Sequence, residues 1–506
     1  MPNLFDKKIS LIWIFVLAHL ALTIPLAATL NLWIDEAWTM QTTGRGINFA
    51  LSEAIAGERQ APLYFLLLAV WRLFDDSLFF ARLFSILCTA ASIFVFDRIT
   101  ARIFAGKEKL ILVGFFALHP YLIWAALEAR AYALIILLSG ALLLLWLDAY
   151  ASEKQNRRKQ VFYVVVAVLA LYTNYYFGFL LVANAAALVV LRRWSALKNY
   201  LLQMAVVGAA FAPLILIIRQ QFAVRVEYYR TAPTLSEGLK TLWEYFNNFV
   251  LPADSEMLSK IRAWVVRIGI LAAAFVLVKS KLRRLSPLSV AFGAILAVIA
   301  AFFLAVYFRL GIEYIQMRHA SLLFLPAILF FGSILKDSIR SNRAWIVIAA
   351  ALALFSSTAI FTRYEPLTKR GDAERIARFI EEHEQNDQPI AVFKVYNVLP
   401  LNFYYRGLNQ FIPKPEAITF DWNAEDAPES SARWQRQINF ITSQIPPDNQ
   451  KIWLVTEDFC DGEKTSIECQ PLEDFVREHY VVERTEIFYT RKLRLLQRKS
   501  SGEEAK

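Results

Sequence analysis

Two adjacent carboxylates, Asp35 and Glu36, sit between Trp33 and Trp38, just past the first long apolar run at residues 9–30. Tryptophan favours the headgroup zone of a bilayer, where one end of its ring is apolar and the other wet. Acids held there are close to lipid and reachable from water, so a carboxylate could take a proton from a group reacting at a lipid headgroup. Ionisable residues at membrane depth are functional candidates. The bland alternative is a pair of acids favoured at a helix N-terminus.

Three further groups have suitable types and spacing. Glu128 and Arg130 lie between two apolar runs in the stretch 120–132, as a second acid and a cation or as an ordinary interfacial ion pair. Arg59-Gln60-Ala61-Pro62-Leu63-Tyr64 places a cation before a proline that can start a helix. The planar fork of Arg59 suits a lipid phosphate, and snorkelling explains it equally. Arg318-His319 puts another cation at a helix start, where an anion is also favoured. No HExxH, Cys-x-x-Cys, Walker loop or Gly-x-Ser-x-Gly occurs, and five scattered histidines do not suggest a protein-made zinc site. Acids such as Asp35 and Glu128 could still hold a divalent cation, Mg or Mn, completed by water and substrate phosphate.

The elements that must position these residues follow from composition. Of 506 residues, 57% are hydrophobic, and long uncharged runs recur, which predicts a polytopic helical membrane protein. The runs are 9–30, 83–96, 110–127, 131–146, 161–176, 177–191, 201–218, 263–278, 288–308, 320–335 and 344–361. Residues 62–74 are too short to span, since 13 residues of helix rise only about 20 Å. The net charge of +10 reflects basic loops between runs rather than nucleic-acid binding. Those loops are 98–109, 154–159, 192–198, 279–284 and 336–343, and all fall on the side of Lys7 and Lys8 if 62–74 adds no net crossing. The positive-inside rule then gives a cytoplasmic N-terminus, about eleven crossings and an outer C-terminus.

On the outer side, Ile47, Leu51 and Ile55 repeat at helical spacing, suggesting a surface helix, and the loop 219–262 is long enough to carry more helix. The expected division is a membrane domain at 1–363, with the acidic motif in outer loop 31–61, and a soluble α/β domain at 364–506. In that domain helices are expected at 371–384, 434–443 and 471–478, and strands at 390–395, 451–456 and 481–496. A disulfide between Cys460 and Cys469 is plausible on an oxidising side of the membrane, while Cys88 lies in an apolar run.

The motifs WIDEAWT, APLYFLLLAVWRLF, ARLFSIL, HPYLIWAALEARAYAL, LYTNYYFGFLL and MRHASLLFLP occur in an order that resembles the bacterial protein-mannosyltransferase-like glycosyltransferases. This is the family 39 type, which includes aminoarabinose-transferase-like proteins, and the likeness covers roughly the first 335 residues. The resemblance implies the C-type membrane glycosyltransferase fold with about 11–13 transmembrane helices. It implies transfer of a hexosyl or pentosyl unit from a polyprenyl-phosphate carrier to a lipid, glycan or protein acceptor on the outer face of the inner membrane. It also implies Asp35 as general base supported by Glu36, an acidic role for Glu128 flanked by Arg130 and Tyr132, and Arg318 near the carrier phosphate. Many relatives have histidine where this chain has Gln60, so Arg59 is the substitute at hand. Two other readings stand beside it, a flippase of lipid-linked sugar and a non-catalytic membrane scaffold. A flippase predicts repeated halves and charges inside helices.

Overall fold

The computed structural model describes residues 11–153, 156–225, 234–254, 256–265, 285–310, 315–339, 341–418, 431–446, 449–460 and 469–499. The chain divides into two compact units. One comprises Met1–Ala28 and Thr43–Arg363, the other Thr29–Thr42 and Tyr364–Lys506.

Apolar runs become helices. α1 (Leu11–Thr29) is followed by three short helices, α2 (Ile34–Thr43), α3 (Ile47–Ala56) and α4 (Leu63–Trp71). Next come α5 (Leu78–Ile103), α6 (Gly106–Ala117), α7 (Pro120–Ala126) and α8 (Tyr132–Trp146), the last running into a π turn at Leu147–Ala151. α9 (Arg157–Thr173), α10 (Phe177–Val190), α11 (Trp194–Arg225) and α12 (Leu235–Val250) follow. α13 (Pro287–Leu310), α14 (Ser321–Ser338) and α15 (Asn342–Tyr364) complete the series.

Among the described residues, seven helices are long and apolar enough to cross a bilayer, namely α1, α5, α8 with its π turn, α11, α13, α14 and α15. The α6–α7 pair, bent by 44°, makes an eighth. The sequence reads this pair as one run. Pro120 splits it, because it lacks an N–H and sits at the first turn of α7, while His119 Nδ1 accepts the Tyr121 N–H at 3.0 Å as a cap. The runs at 161–176 and 177–191 form α9 and α10, of 17 and 14 residues. The run at 263–278 lies mostly outside the described residues.

α5 packs on α6, α7 and α8, and α13 on α10 and α14. Gly140 permits close approach on α8: a Cβ there would meet Val95 at 3.1 Å and Leu325 at 3.3 Å. Buried His19 ties three helices, with Nδ1 on Ala117 O at 2.8 Å and Nε2 on Thr89 Oγ1 at 2.9 Å. Each polar partner is thereby satisfied away from water.

Four of the five basic loops converge at one end of this unit, and the fifth, 279–284, lies outside the described residues. Asp148 binds Arg102 at 2.6 Å and Lys159 at 2.8 Å, and Arg193 lies 3.9 Å from Glu153. Lys336 Nζ donates to Ile103 O at 2.5 Å, and Asp337 accepts from Ser286 N at 2.8 Å. Near the other end, Arg82 at the start of α5 donates to Ala27 O near the end of α1 at 2.9 Å. The end of α1 and the start of α5 therefore lie together, so the chain between them, α4 included, adds no net crossing. α12 is amphipathic, with Leu235, Leu239 and Trp243 exposed on one stripe, and a capping box between Thr234 and Glu237 fixes its start.

The second unit holds a five-stranded sheet in the order β2-β1-β3-β5-β4. In chain order its elements are α16 (Ala373–His383), β1 (Ile390–Val392), α17 (Val398–Tyr404), β2 (Phe411–Ile412) and α18 (Ser431–Gln444). β3 (Lys451–Glu457), α19 (Gln470–His479), β4 (Tyr480–Phe488) and β5 (Arg491–Arg498) follow. β1 runs parallel to β2 and β3, and the β4–β5 hairpin adds antiparallel to β3. Central β3 is buried almost throughout, whereas edge strand β4 is largely exposed and charged. Arg494 forks onto Glu473 of α19 at 2.6 and 2.7 Å, pinning helix to sheet. Cys460 and Cys469 form a buried disulfide.

Candidate functional site

The sequence-derived residues fall into two groups. Asp35 and Glu36 open α2 and belong to the second unit. Glu36 is fully buried and Asp35 half-buried. The loop before α2 is held by that unit in two places. Asn31 Oδ1 accepts the Glu374 N–H at 2.9 Å, and Leu32 N–H donates to Tyr404 Oη at 2.7 Å. The backbone at the start of the acidic helix is thus fastened to α16 and α17.

The remaining candidates lie in the first unit. Arg130 directs one guanidinium nitrogen at both oxygens of Glu58, at 3.0 and 3.1 Å, and both residues are buried. Gln60 Nε2 donates to the same carboxylate at 3.2 Å. The Arg130 guanidinium also sits 5.9 Å from the centre of the Phe65 ring. Arg59, between Glu58 and Gln60, holds a left-handed backbone with φ 53°. That conformation disfavours a side chain and turns the strand of chain sharply into α4. Tyr64 is buried on α4.

Glu128 is buried, and its carbonyl accepts from Ser85 Oγ at 2.6 Å. Tyr132 stacks on Trp124 at 4.8 Å, and Trp124 lies 5.2 Å from Tyr121. The Tyr121 hydroxyl contacts Met317 O at 3.1 Å and Ser321 Oγ at 2.6 Å, while Ser321 Oγ donates to Arg318 O at 2.7 Å. This chain of contacts clamps the Arg318-His319 turn to the segment that carries Arg130 and Tyr132. The residues 58–64, 128–132 and 318–319 are therefore one neighbourhood of the first unit.

The sequence reading did not single out Glu58 or Arg82. Glu58 adjoins Arg59 and Gln60 in the same motif, and its charge was the available signal. Arg82 is a fully buried cation within a membrane helix, a kind of residue that marks function or a structural tie. Its bond to Ala27 O supplies the tie. Asp35 and Glu128, the acids expected to hold any divalent cation, belong to different units. Among the described residues, no three His, Cys, Asp or Glu side chains cluster as metal ligands.

A helical membrane unit with charged groups gathered near one end, followed by a small mixed sheet, has the fold of the C-type membrane glycosyltransferases. The chain is similar to ArnT from Cupriavidus metallidurans in its apo state, with a TM-score of 0.54 and 13% identity over 96% of this chain and 97% of that one. The same ArnT bound to undecaprenyl phosphate gives a TM-score of 0.55, again at 13% identity, over 96% and 98% of the two chains. An Archaeoglobus fulgidus oligosaccharyltransferase tethered with an acceptor peptide gives a TM-score of 0.47 at 11% identity, over 94% of this chain and 72% of that one. No protein-family model matches the sequence, and no curated protein does. The family resemblance in the motifs is borne out as a fold.

Proposed function

We propose that the protein is an inverting glycosyltransferase that moves a sugar from a polyprenyl-phosphate carrier to an acceptor, with Asp35 as general base. The observation that carries this reading is the fold likeness over 96% of the chain to an ArnT structure holding undecaprenyl phosphate. In direct displacement, the bond between the anomeric carbon and the phosphate oxygen breaks with its electron pair passing to phosphate. The acceptor hydroxyl or amine forms the new bond on the opposite face and gives its proton to the Asp35 carboxylate. Charge growing on the departing phosphate is met by Arg59 and Arg318, with Arg130 held in place by Glu58. Gln60 stands where, by the motif resemblance, many relatives have histidine, and Tyr64, Tyr132 and His319 belong to the same neighbourhood. Glu36 supports the base and Glu128 supplies a second acid. If the reaction uses a divalent cation, Asp35 or Glu128 would hold it, with water and substrate phosphate completing its shell.

The basic end of the membrane unit faces the cytoplasm in this reading, and the second unit faces the outer, oxidising side. The convergence of four basic loops and the Cys460–Cys469 disulfide support that orientation. Asp35→Asn keeps the shape of the side chain and removes the base. Transfer from a polyprenyl-phosphate sugar, assayed in membranes, should fall by about 10²–10⁴-fold. Undiminished transfer by a folded variant would sink the assignment of the base.

A further inference from the structure

The cations at the basic end of the membrane unit sort into two sets. One set is engaged. Asp148 holds Arg102 and Lys159, Asp97 lies 2.8 Å from Lys109 Nζ, and Lys336 donates to Ile103 O. The other set is Arg157 and Arg158 at the start of α9, Arg192 and Arg193 between α10 and α11, and Lys198 near the start of α11. Among the described residues, the one acid paired with these five is Glu153, 3.9 Å from Arg193 and 89% exposed, so water screens it. Two separate loops supply this set, and the fold brings them together. The Tyr163 and Tyr200 hydroxyls meet at 2.9 Å, and Gln203 Nε2 donates to Gln160 Oε1 at 3.0 Å, which packs the first turns of α9 against those of α11. The positive-inside rule accounts for cations in each loop and is indifferent to whether the loops meet.

Each helix carries its cations at the head of an exposed apolar stripe. On α11, Trp194, Lys198, Leu201 and Leu202 share one face at helical spacing, and all four are exposed. α11 meets lipid along most of its length, since only 11% of its most apolar stretch is buried within the protein. On α9, Arg158 heads a stripe of exposed Phe162, Val165 and Leu169, and its guanidinium lies 5.8 Å from the centre of the Phe162 ring. Arg192 adds a backbone observation. α10 ends in a Schellman turn, with the Arg193 N–H on Leu188 O and the Arg192 N–H on Val189 O, both at 2.9 Å. Arg192 holds the left-handed position of that turn, with φ 55°, where glycine is the favoured residue. The chain therefore carries an arginine there against the local backbone preference.

We infer that this corner of the membrane unit binds an anionic phospholipid, with its phosphate held by Arg158, Arg192 and Lys198 and its acyl chains along the stripes of α9 and α11. Charge complementarity sets the sign, because five cations facing one exposed acid attract a negative headgroup. The stripes set the class. A free phosphate would engage the cations alone, whereas a phospholipid covers cation and stripe together. Trp194 lies beside the cations, as expected at headgroup depth, where indole rings are favoured. A zwitterionic lipid brings an ammonium of its own and finds little carboxylate to meet it. This binding is separate from the transfer reaction proposed above. Ser85, bonded to Glu128 O, and Arg102 of the basic end lie toward opposite ends of α5, about 25 Å of helix apart.

The test is native mass spectrometry of the full-length protein released from micelles holding equal amounts of phosphatidylglycerol and phosphatidylcholine. Retained phosphatidylglycerol should exceed retained phosphatidylcholine by about tenfold. Arg192→Gly with Lys198→Gln removes two of the cations and puts glycine in the left-handed position, and should bring that ratio close to one. In phosphatidylcholine alone this double variant should unfold no earlier than the wild type, because the turn is relieved of strain. Lys198→Gln by itself leaves every backbone bond in place and should lower the ratio part of the way. Arg98→Gln with Lys107→Gln removes the same charge from another exposed part of the basic end and should leave the ratio unchanged. Equal retention of the two lipids by the wild type overturns the inference. So does a ratio that survives both patch variants, or one that falls equally in the Arg98 and Lys107 variant. Excess inorganic phosphate should not displace the lipid, and displacement would mark a free-anion site and overturn the lipid assignment.

Discussion

Glu58 and Arg130 bury opposite charges against each other, so removing one leaves the other uncompensated. Glu58→Leu should therefore cost about 3–5 kcal/mol of stability, read as a fall in the unfolding temperature. The double variant Glu58→Leu with Arg130→Leu should recover much of that loss. A double-mutant cycle yielding no coupling would show that the pair does not act as a unit. Arg130→Lys keeps the charge but not the flat guanidinium over the Phe65 ring, and is expected to lose part of the stabilisation and part of the transfer activity. Arg130 was legible in the sequence because a cation between two apolar runs stands out. Its partner was not, because 72 residues separate Glu58 from Arg130 and only the fold of α3 and α4 joins them.

At the level of elements, the loop before α2 shows where sequence reading stops. Long apolar runs announce membrane helices, and alternation announced most elements of the soluble unit, because length and period are local properties. α17 and β2 are too short to carry a period. The fastening of residues 31 and 32 to residues 374 and 404 is non-local and leaves no signature. Asn31→Ala removes the cap from α16 and should cost about 1 kcal/mol, with faster hydrogen exchange at the start of α16 and in the acidic helix. Unchanged exchange would show that the cap does not hold the loop. A pH effect belongs to the adjacent α17. Burial, with the Glu384 carboxylate accepting its hydroxyl, pushes the Tyr405 phenol above its ordinary value. A phenol whose folded pKa is raised stabilises fully below its unfolded pKa and loses that contribution as pH rises through about 10. Exchange at 398–412 should therefore accelerate above about pH 10, and Tyr405→Phe should flatten that dependence.

For the whole molecule, the orientation proposed above has a direct thiol test, because the native cysteines give little background. Cys88 is buried in α5, and Cys460 and Cys469 are bonded to each other. Leu408→Cys places a thiol on the second unit at a position that is 81% exposed. Lys107→Cys places one among the basic loops, where the side chain is also exposed. The positive-inside rule requires the basic end to remain in the cytoplasm, because short loops rich in Lys and Arg resist translocation. A maleimide that cannot cross the inner membrane should label Leu408→Cys in cells whose outer barrier alone is opened. Lys107→Cys should label only after the inner membrane is lysed. The disulfide gives the same side a thermodynamic consequence. Closing a loop of about ten residues is worth about 3 kcal/mol, so reductant should lower the unfolding temperature of the second unit. Labelling of Lys107→Cys in unlysed cells, with Leu408→Cys protected, would reverse the orientation. It would put the acids of α2 on the side where the disulfide could not persist.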